Sequence, residues 1–242
     1  MIEPFAALLA ALQVRDRLTN QEIDAIEQLP YSVREFRKGM SLIEQDSRPT
    51  ESCLLLQGLA ARVVYTPSGK RNITAVHIAG DFVDLHGFLL KVMDHHVAAL
   101  TGVTAAFVPH AALRDISESF PHLARMLWLL TTIDAAIHRA WLTCLGRKSP
   151  LQHLAHLFCE LSLRNKNVGL APKLRFEFDV TQTEVSDMLG LSLVHTNRTI
   201  QELRASGLIR WDGKHAEIVD AKRLAKIADF DPTYLNLWSE PR

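Results

Sequence analysis

Cysteine is scarce in this sequence, with three residues in 242 at widely separated positions. Cys53, Cys144 and Cys159 cannot form the dense disulfide framework of a small secreted protein, so we expect free thiols in a reducing cytoplasm. Long apolar runs are also missing, and none approaches the roughly 20 residues that a membrane-spanning helix needs. The segment Met1-Ile2-Glu3-Pro4 lacks the basic and then apolar residues of a secretory signal. We therefore expect a cytoplasmic protein with no membrane partner.

An excess of either charge is absent as well. The sequence has 27 Lys and Arg against 27 Asp and Glu, so it lacks the overall basic charge that would by itself indicate a nucleic-acid partner. It does have a hydrophobic content of 48% and a charged content of 22%, which excludes a disordered or collagen-like chain. Its 242 residues suffice for one large or two modest domains.

The N-terminal part of the sequence shows a helical pattern followed by a β-rich pattern. Apolar residues recur at helical spacing over 6–29, where Thr19 and Glu22 form a capping-box pair. Short β-prone runs separated by turn residues then continue to residue 108, and Pro67-Ser68-Gly69 is typical of a hairpin turn. Six runs at this spacing predict an antiparallel barrel or sandwich. The runs are 40–43, 52–57, 60–66, 71–78, 96–101 and 105–108.

A long helical pattern follows from about residue 121 to Gly146, and it contains a heptad seam. The seam predicts a dimerisation helix, and the alternative is a single core helix packed on its own domain. An acidic residue in the seam is costly unless it has a partner. Gly146 and Ser149-Pro150 predict the helix end and a hinge. The seam residues are Leu123, Leu127, Leu130, Asp134, Ile137, Trp141 and Cys144.

Beyond the hinge, an amphipathic helix over 151–163, a polar loop over 164–172 and a strand over 175–180 are expected. Residues 181–205 then carry the most informative pattern. Thr181 and Glu184 form a capping box, Gly190 allows a tight turn, and Ser192 is a suitable N-cap for a second helix. This order predicts a helix-turn-helix, with a plain αα-hairpin as the alternative.

A hairpin is expected directly after this motif. Asp212-Gly213-Lys214 separates the β-prone runs 208–211 and 215–219, and Asp-Gly between such runs is a strong hairpin signature. A hairpin in this place is a wing. The second unit of the sequence is therefore predicted to be a winged helix-turn-helix.

The second helix of the motif is expected to expose a set of side chains suited to DNA. An arginine can form two hydrogen bonds to guanine, an asparagine can pair with adenine, and an apolar side chain can contact the thymine methyl group. For Arg198 the alternative is a surface ion pair with Glu202. The expected base contacts are Val194, His195, Asn197, Arg198 and Gln201. The expected contacts to the DNA backbone are Thr181, Gln182, Ser192 and Lys214.

The order of these parts resembles the Crp/Fnr transcription regulators over nearly the full length of the sequence. The residues from Thr181 to Ser192 and from Asn197 to Ile200 are similar to the helix-turn-helix of that family, and Gly80-Asp81-Phe82 is similar to the start of its effector segment. Thr196 and Thr199 depart from the family pattern, which usually has larger apolar residues there. The resemblance implies a homodimer on a palindromic DNA site, with RNA polymerase as a further partner if the protein is an activator.

The resemblance also implies a fold class and domain boundaries. The fold class is α+β, with an N-terminal antiparallel β-roll or jelly-roll domain, a long dimerisation helix and a C-terminal winged helix-turn-helix. The expected boundaries are 1–118 for a cyclic-nucleotide-binding-like effector domain, 119–148 for the helix and hinge, and 149–242 for the DNA-binding domain.

The effector segment departs from that of the cyclic-nucleotide binders in the family. Those members have a Gly-Glu pair that holds the ribose and a later Arg-Ser or Arg-Thr that offsets the phosphate charge. Here Leu85 cannot accept a hydrogen bond from ribose, and His95-His96 replaces the arginine pair. We therefore expect no tight binding of cAMP, and the small-molecule effector is unknown. The residues that the resemblance places at the effector site are Gly80, Asp81, Phe82, Asp84, His86, His95 and His96.

The cysteines and histidines also bear on other sensor chemistries. Three cysteines in one chain cannot supply four thiolates to an iron–sulfur cluster. The histidines favour no recognised ligand spacing, so no cofactor and no metal is expected, and a haem- or metal-dependent sensor is the alternative. His153, His156 and Cys159 share a helical face that is typical of packing. An enzyme using Asp84, His86 and His95, or a winged helix that binds protein, are the remaining alternatives, and no nucleophile elbow or phosphate-binding loop supports an enzyme.

Overall fold

The computed structural model describes residues 3–242. It forms two compact units, which we call unit 1 and unit 2. Unit 1 contains the chain up to Val63, the segment Val76–Ala135 and the C-terminal Asn236–Arg242. Unit 2 contains Val64–Ala75 and Ala136–Leu235. Within residues 3–242, no helix is both long and apolar enough to cross a membrane.

Unit 1 begins with two short helices, α1 (Ala6–Gln13) and α2 (Asn20–Glu27), as the helical pattern and its break predict. The capping box at α2 is formed, because the Glu22 backbone N–H donates to Thr19 Oγ1 over 3.3 Å and the Thr19 N–H donates to Glu22 Oε2 over 2.8 Å. These bonds satisfy donors that a helix start leaves unpaired. The apolar faces of both helices join the core of unit 1.

The strands of the β-rich region are β1 (Ser32–Phe36), β2 (Ser41–Ile43), β3 (Glu51–Gln57), β4 (Ala60–Tyr65), β5 (Arg71–His77), β6 (His96–Ala99) and β7 (Val103–Pro109). They form two sheets with the orders β1-β7-β3 and β2-β6-β4-β5, which confirms the predicted antiparallel β domain. Apolar side chains from both sheets, among them Leu55, Val97 and Val103, enclose a core. The strand β1 has an exposed, charged pattern without apolar alternation, so the sequence did not predict it.

Two further helices of unit 1 were not predicted. The short α3 (Gly87–Leu90) lies in the effector segment, and α4 (His110–Ser119) follows β7. Helix α4 lacks a side-chain N-cap, because Pro109 occupies that position. Burial of Leu113 and Ile116 stabilises the helix instead. Two large apolar residues are too few for the sequence to predict a helix here.

The long helix α5 (Pro121–Arg147) forms as predicted, but its predicted seam faces the chain's own interior. Leu123, Ile137 and Trp141 are buried, and Leu127 and Leu130 pack against the core of unit 1. This burial within one chain is what the alternative of a core helix predicts for this face. The outward face repeats at alternating steps of four and three residues and carries Arg125, Trp128, Thr132, Ala135, Arg139 and Leu142.

Unit 2 contains the predicted helices and wing, with some differences in length. The first helix is longer than expected and takes up part of the expected polar loop, where the Asn165 amide donates to the Leu161 carbonyl over 2.8 Å. The last helix was not predicted. The helices are α6 (Pro150–Asn167), α7 (Gln182–Leu189), α8 (Leu193–Ala205) and α9 (Ala221–Ala228). The strands β8 (Arg175–Glu177), β9 (Ile209–Trp211) and β10 (His215–Ile218) form a sheet with the order β8-β10-β9.

Candidate functional site

The turn between α7 and α8 has the geometry that its residues predict. The Glu184 N–H donates to Thr181 Oγ1 over 3.1 Å, and the Thr181 N–H donates to Glu184 Oε2 over 2.6 Å, so the capping box is formed. Helix α7 ends at Gly190, whose φ is +65°. A Cβ at this position would lie 3.2 Å from the Leu145 side chain, so glycine suits both the backbone and the packing.

Helix α8 separates a buried face from an exposed one. Ser192 is its N-cap and accepts a hydrogen bond from the His195 N–H over 3.3 Å. Ile200 and Leu203 are buried, as expected. All the predicted base-contact residues are exposed, and Val194 retains 76% of its accessible surface. These exposed residues are Val194, His195, Asn197, Arg198 and Gln201.

Two polar residues of the exposed surface are joined. The Asn197 side-chain amide donates to Gln182 Oε1 over 2.8 Å, which links α8 to the first turn of α7. The residue spacing alone did not reveal this bond. The alternative ion pair of Arg198 with Glu202 does not form within the described part of the chain, so the guanidinium of Arg198 faces solvent.

Thr196 and Thr199 are buried where the family usually has larger apolar residues. The hydroxyl of Thr199 donates to the His195 carbonyl over 3.0 Å. The hydroxyl of Thr196 has no hydrogen-bond partner in residues 3–242. The two threonines therefore pack inward without disturbing the exposed face.

The predicted wing is formed by β9 and β10, which pair antiparallel. At its tip Asp212 Oδ1 accepts hydrogen bonds from the N–H groups of Lys214 and His215 over 2.8 and 2.7 Å. Gly213 has a φ of +97°, which favours glycine. Lys214 is exposed at this tip, as a residue that contacts a phosphate must be.

The first three predicted residues of the effector segment form a turn. Gly80 has a φ of +94°, and a Cβ there would lie 2.9 Å from the Ala7 carbonyl oxygen. Asp81 Oδ2 accepts a hydrogen bond from the Ile78 N–H over 2.9 Å, and Phe82 forms a bridge to Leu54. These three predicted residues shape the turn before the segment.

Of the other predicted residues, Asp84 and His95 are buried, whereas His86 and His96 are half-buried. Asp84 Oδ1 accepts a hydrogen bond from the Cys53 N–H over 2.7 Å, and burial raises the pKa of this carboxyl to about 7. The rings of His86 and His95 have centroids 5.2 Å apart. His96 Nδ1 lies 2.9 Å from Glu44 Oε2, so the two adjacent histidines point to different surroundings, as expected for an extended chain.

Arg62 connects His95 to the long helix. Its Nε donates to His95 Nε2 over 2.9 Å, and its guanidinium forms an ion pair with Asp134 of α5 at 3.0 Å. The acidic residue in the predicted seam therefore has the partner that it requires. Burial, together with the charge of Arg62, lowers the pKa of His95 to about 4, so its ring is neutral near pH 7. His95 Nδ1 also lies 2.6 Å from Asp94 Oδ1.

Unit 2 contains a second polar cluster, around Glu160 of α6. Its carboxylate accepts hydrogen bonds from Trp141 Nε1 over 3.0 Å and from the Tyr234 hydroxyl over 2.7 Å. Arg164 lies 3.2 Å from its other oxygen. His156 lies in the same cluster, with its Nε2 3.0 Å from the Tyr234 hydroxyl. The predicted packed face of α6 is confirmed, since His153, His156 and Cys159 are all buried.

Comparison with known proteins gives the same two parts. Residues 33–120 match the cyclic nucleotide-binding domain family, and residues 152–227 match the Crp-like helix-turn-helix domain family. The chain is 24% identical to the transcriptional activator protein Anr of Pseudomonas aeruginosa over 91% of its length and 90% of that protein. It is also 24% identical to the transcriptional activator protein FnrL of Cereibacter sphaeroides, over 89% of its length and 87% of that protein.

Solved structures show the same fold. FixK2 of Bradyrhizobium japonicum superposes with a TM-score of 0.70 at 19% identity, over 82% of this chain and 98% of that one. A CooA mutant from Carboxydothermus hydrogenoformans gives a TM-score of 0.63 at 16% identity, over 91% of this chain and 95% of that one.

A cyclic-nucleotide-binding-like β domain with a winged helix-turn-helix after it in the chain defines a DNA-binding transcription regulator. The protein belongs to the Crp/Fnr family of transcription regulators. The resemblance in the helix-turn-helix and in the order of the parts is thereby confirmed.

Proposed function

We propose that this regulator reads a palindromic DNA site as a homodimer, with the exposed face of α8 in the major groove. The observation that carries the proposal is the exposure of five polar or small apolar side chains on the first turns of a capped helix, while the opposite face is buried. Such a helix places its N-terminal residues at base edges.

Each residue of this face has a role that its chemistry supports. Arg198 can form two hydrogen bonds to guanine, Asn197 can pair with adenine, and Val194 can contact a thymine methyl group. His195 and Gln201 extend the same face. The proposed contacts to the DNA backbone are Thr181, Gln182, Ser192 and Lys214, three of which start helices and one of which lies on the wing.

We propose that the second copy packs on the outward face of α5. Trp128 on this face is 72% exposed, and Leu142 lies on the same side at heptad spacing. Thr132 and Ala135 between them are small enough for close approach of a partner helix. Two copies joined in this way would contact half-sites about one helical turn of DNA apart.

We propose that cAMP is not the effector of unit 1. Leu85, at the position where the cyclic-nucleotide binders resembled here have a glutamate, is buried in the apolar core. The buried carboxyl of Asp84 beside it would disfavour a phosphate. Calorimetric titration is expected to show no binding at micromolar cAMP, and micromolar or tighter binding would contradict this part of the proposal.

The remaining roles follow from the same picture. We propose a regulatory protein without catalytic activity, acting in the cytoplasm, where its three buried thiols stay reduced. RNA polymerase is the proposed partner if the protein activates transcription, as the names of the matched activators suggest.

The decisive experiment combines selection of bound sites from random DNA with a gel-shift series on the selected site. We expect Arg198→Ala to weaken binding to the selected site by about 30-fold or more, since each bidentate contact contributes about 1–3 kcal/mol and the proposed homodimer loses two. Binding to random DNA and the oligomeric state should not change. Arg37→Ala, which removes an exposed arginine of unit 1, is the matched control. Equal affinity of the unmodified protein for selected and random DNA at physiological salt would overturn the proposal.

A further inference from the structure

Three potential ligands for a metal ion meet at one edge of the β domain. One ligand atom from each of His86, Asp94 and His95 lies within 4.8 Å of the others. His86 precedes α3, whereas Asp94 and His95 precede β6, so the fold brings together residues that no sequence spacing connects. His95 is buried, while the carboxylate of Asp94 is 76% exposed. The group therefore has an inner side formed by protein and an outer side open to solvent.

The chemistry of this group fits a particular class of ion. Two imidazoles and one carboxylate are a donor set typical of zinc(II), iron(II) and other divalent ions of the first transition row. The three ligand atoms lie within 4.8 Å of one another, and the exposed carboxylate of Asp94 can move to adjust its distance from an ion. Water from the open side can supply a further ligand, as it does where three protein residues hold zinc.

The hydrogen bonds of His95 determine which nitrogen is available to an ion. A guanidinium nitrogen can donate but not accept, so His95 Nε2 accepts from Arg62 Nε and must be unprotonated. His95 Nδ1 then carries the ring proton and donates to Asp94 Oδ1 over 2.6 Å. An ion at Asp94 must bind His95 through Nδ1, and the ring proton must move to Nε2.

That change places two donors against each other. With its proton on Nε2, His95 would face the Nε–H of Arg62 at 2.9 Å, and the hydrogen bond between them would be lost. Arg62 also forms an ion pair with Asp134 of α5 at 3.0 Å, so a movement of Arg62 would change its contact with α5. Binding of an ion and the Arg62–His95 hydrogen bond therefore exclude each other.

We propose that His86, Asp94 and His95 bind one divalent transition-metal ion, and that the ion displaces Arg62 from His95. No proton is released from His95, because the proton passes from Nδ1 to Nε2 as the ion takes the Nδ1 lone pair. The binding of the ion stands by itself. Its regulatory consequence, a changed contact between Arg62 and α5, rests on the proposed DNA-binding function.

The test is titration of the chelator-treated full chain with cobalt(II), followed by absorption, with zinc(II) as the competitor and elemental analysis for stoichiometry. We expect one ion per chain. His86→Gln and Asp94→Asn should each weaken binding by about tenfold or more, because each removes a ligand. His96→Gln is the matched control, since this histidine contacts Glu44 instead, and it should change the affinity less than about twofold. Arg62→Met should strengthen binding several-fold, because no hydrogen bond then has to be broken.

The opposing results are equally clear. Absence of a stoichiometric ion, or unchanged affinity in both His86→Gln and Asp94→Asn, overturns the site. Unchanged or weaker binding in Arg62→Met overturns the displacement. A gel shift with and without zinc(II) separates the proposals. Sequence-specific DNA binding that zinc(II) does not change refutes only the regulatory consequence of the ion, and a bound ion without sequence-specific DNA binding refutes only the proposed function.

Discussion

A fully buried carboxylate lies in each unit of this protein, and the two carboxylates differ in how many hydrogen bonds they accept. Glu160 in unit 2 and Asp84 in unit 1 both have an exposed fraction of 0%. Glu160 has three side-chain donors distributed over its two oxygens. Asp84 has one backbone donor on one oxygen, and its other oxygen has no hydrogen-bond partner in residues 3–242.

The number of hydrogen bonds to each carboxylate determines how its cluster responds to pH. Burial raises the pKa of both carboxyls, but the donors around Glu160 counter this effect and the few around Asp84 do so less. The saturated cluster joins Trp141, Glu160 and Tyr234 from three parts of unit 2, so it fixes local geometry. The incompletely bonded Asp84 gains or loses a proton near neutral pH, so it makes unit 1 sensitive to its surroundings.

The strongest test of this contrast is removal of the saturated carboxylate. Glu160→Ala leaves Arg164 and the donors of Trp141 and Tyr234 without their acceptor, and removing one partner of a buried charged cluster costs about 3–5 kcal/mol. We expect a loss of this size in the free energy of unfolding, measured with urea. Tyr234→Phe, which removes the hydrogen bond to the carboxylate and the contact of the hydroxyl with His156, should cost about 1.5–3 kcal/mol. A loss below about 1 kcal/mol in Glu160→Ala would show that the cluster does not hold unit 2 together.

The second test concerns pH and Asp84. Its pKa in the folded protein is about 7, against an ordinary value of 3.8, so between these pH values the folded state holds a proton that the unfolded state has already lost. The contribution of Asp84 to stability should therefore fall as pH rises from about 4 to about 7 and then level off. Asp84→Asn removes this dependence. From pH 5 to pH 8, the difference in the free energy of unfolding between the variant and the unmodified protein should grow by about 2–3 kcal/mol in favour of the variant. Urea unfolding at each pH measures it.

A pH-independent difference between the two proteins would contradict the assignment of this titration to Asp84.

The contribution of His153 in unit 2 to stability depends on pH with the opposite sign. Burial lowers its pKa to about 4, so its contribution to stability is present above the ordinary histidine pKa and is lost as pH falls through that value towards about 4.

A small change in stability is expected at Thr196 in α8, whose hydroxyl has no hydrogen-bond partner in residues 3–242. Thr196→Val keeps the shape and removes a buried hydroxyl that lacks a partner, so we expect a gain of up to about 1 kcal/mol. Thr199→Val is the matched control, because its hydroxyl is bonded to the His195 carbonyl and should give no gain. Thermal unfolding of both variants measures the difference, and an equal gain in both would remove the distinction between bonded and unbonded hydroxyls.

The sequence predicts those features of the fold that depend on neighbouring residues. The capping box of Thr181 and Glu184, the turn at Gly190 and the hairpin at Gly213 each arise within a few residues, so their geometry follows from local chemistry. The exposure of Arg198 follows in the same way from helical spacing. The helix-turn-helix and wing could therefore be derived almost completely.

Features that depend on distant residues could not be derived. Helix α5 carries two heptad stripes, and only the packing of unit 1 shows that the stripe with Leu123 turns inward while the stripe with Trp128 turns outward. The partner of Asp134 is Arg62, which lies 72 residues away in the sequence. His86 and His95 likewise meet through the folding of the sheets, which no spacing encodes.

The hydrogen bond from Asn197 to Gln182 has a consequence for how target sites diverge among regulators of this kind. With one amide hydrogen engaged, Asn197 keeps its carbonyl oxygen and its second hydrogen in a fixed orientation, which are the acceptor and donor that an adenine requires. Under the proposed function, a replacement at Gln182 would release this amide to turn and would change the base that Asn197 prefers. Two such regulators with identical α8 residues would then favour different operators, and their specificity would have to be compared over both helices together.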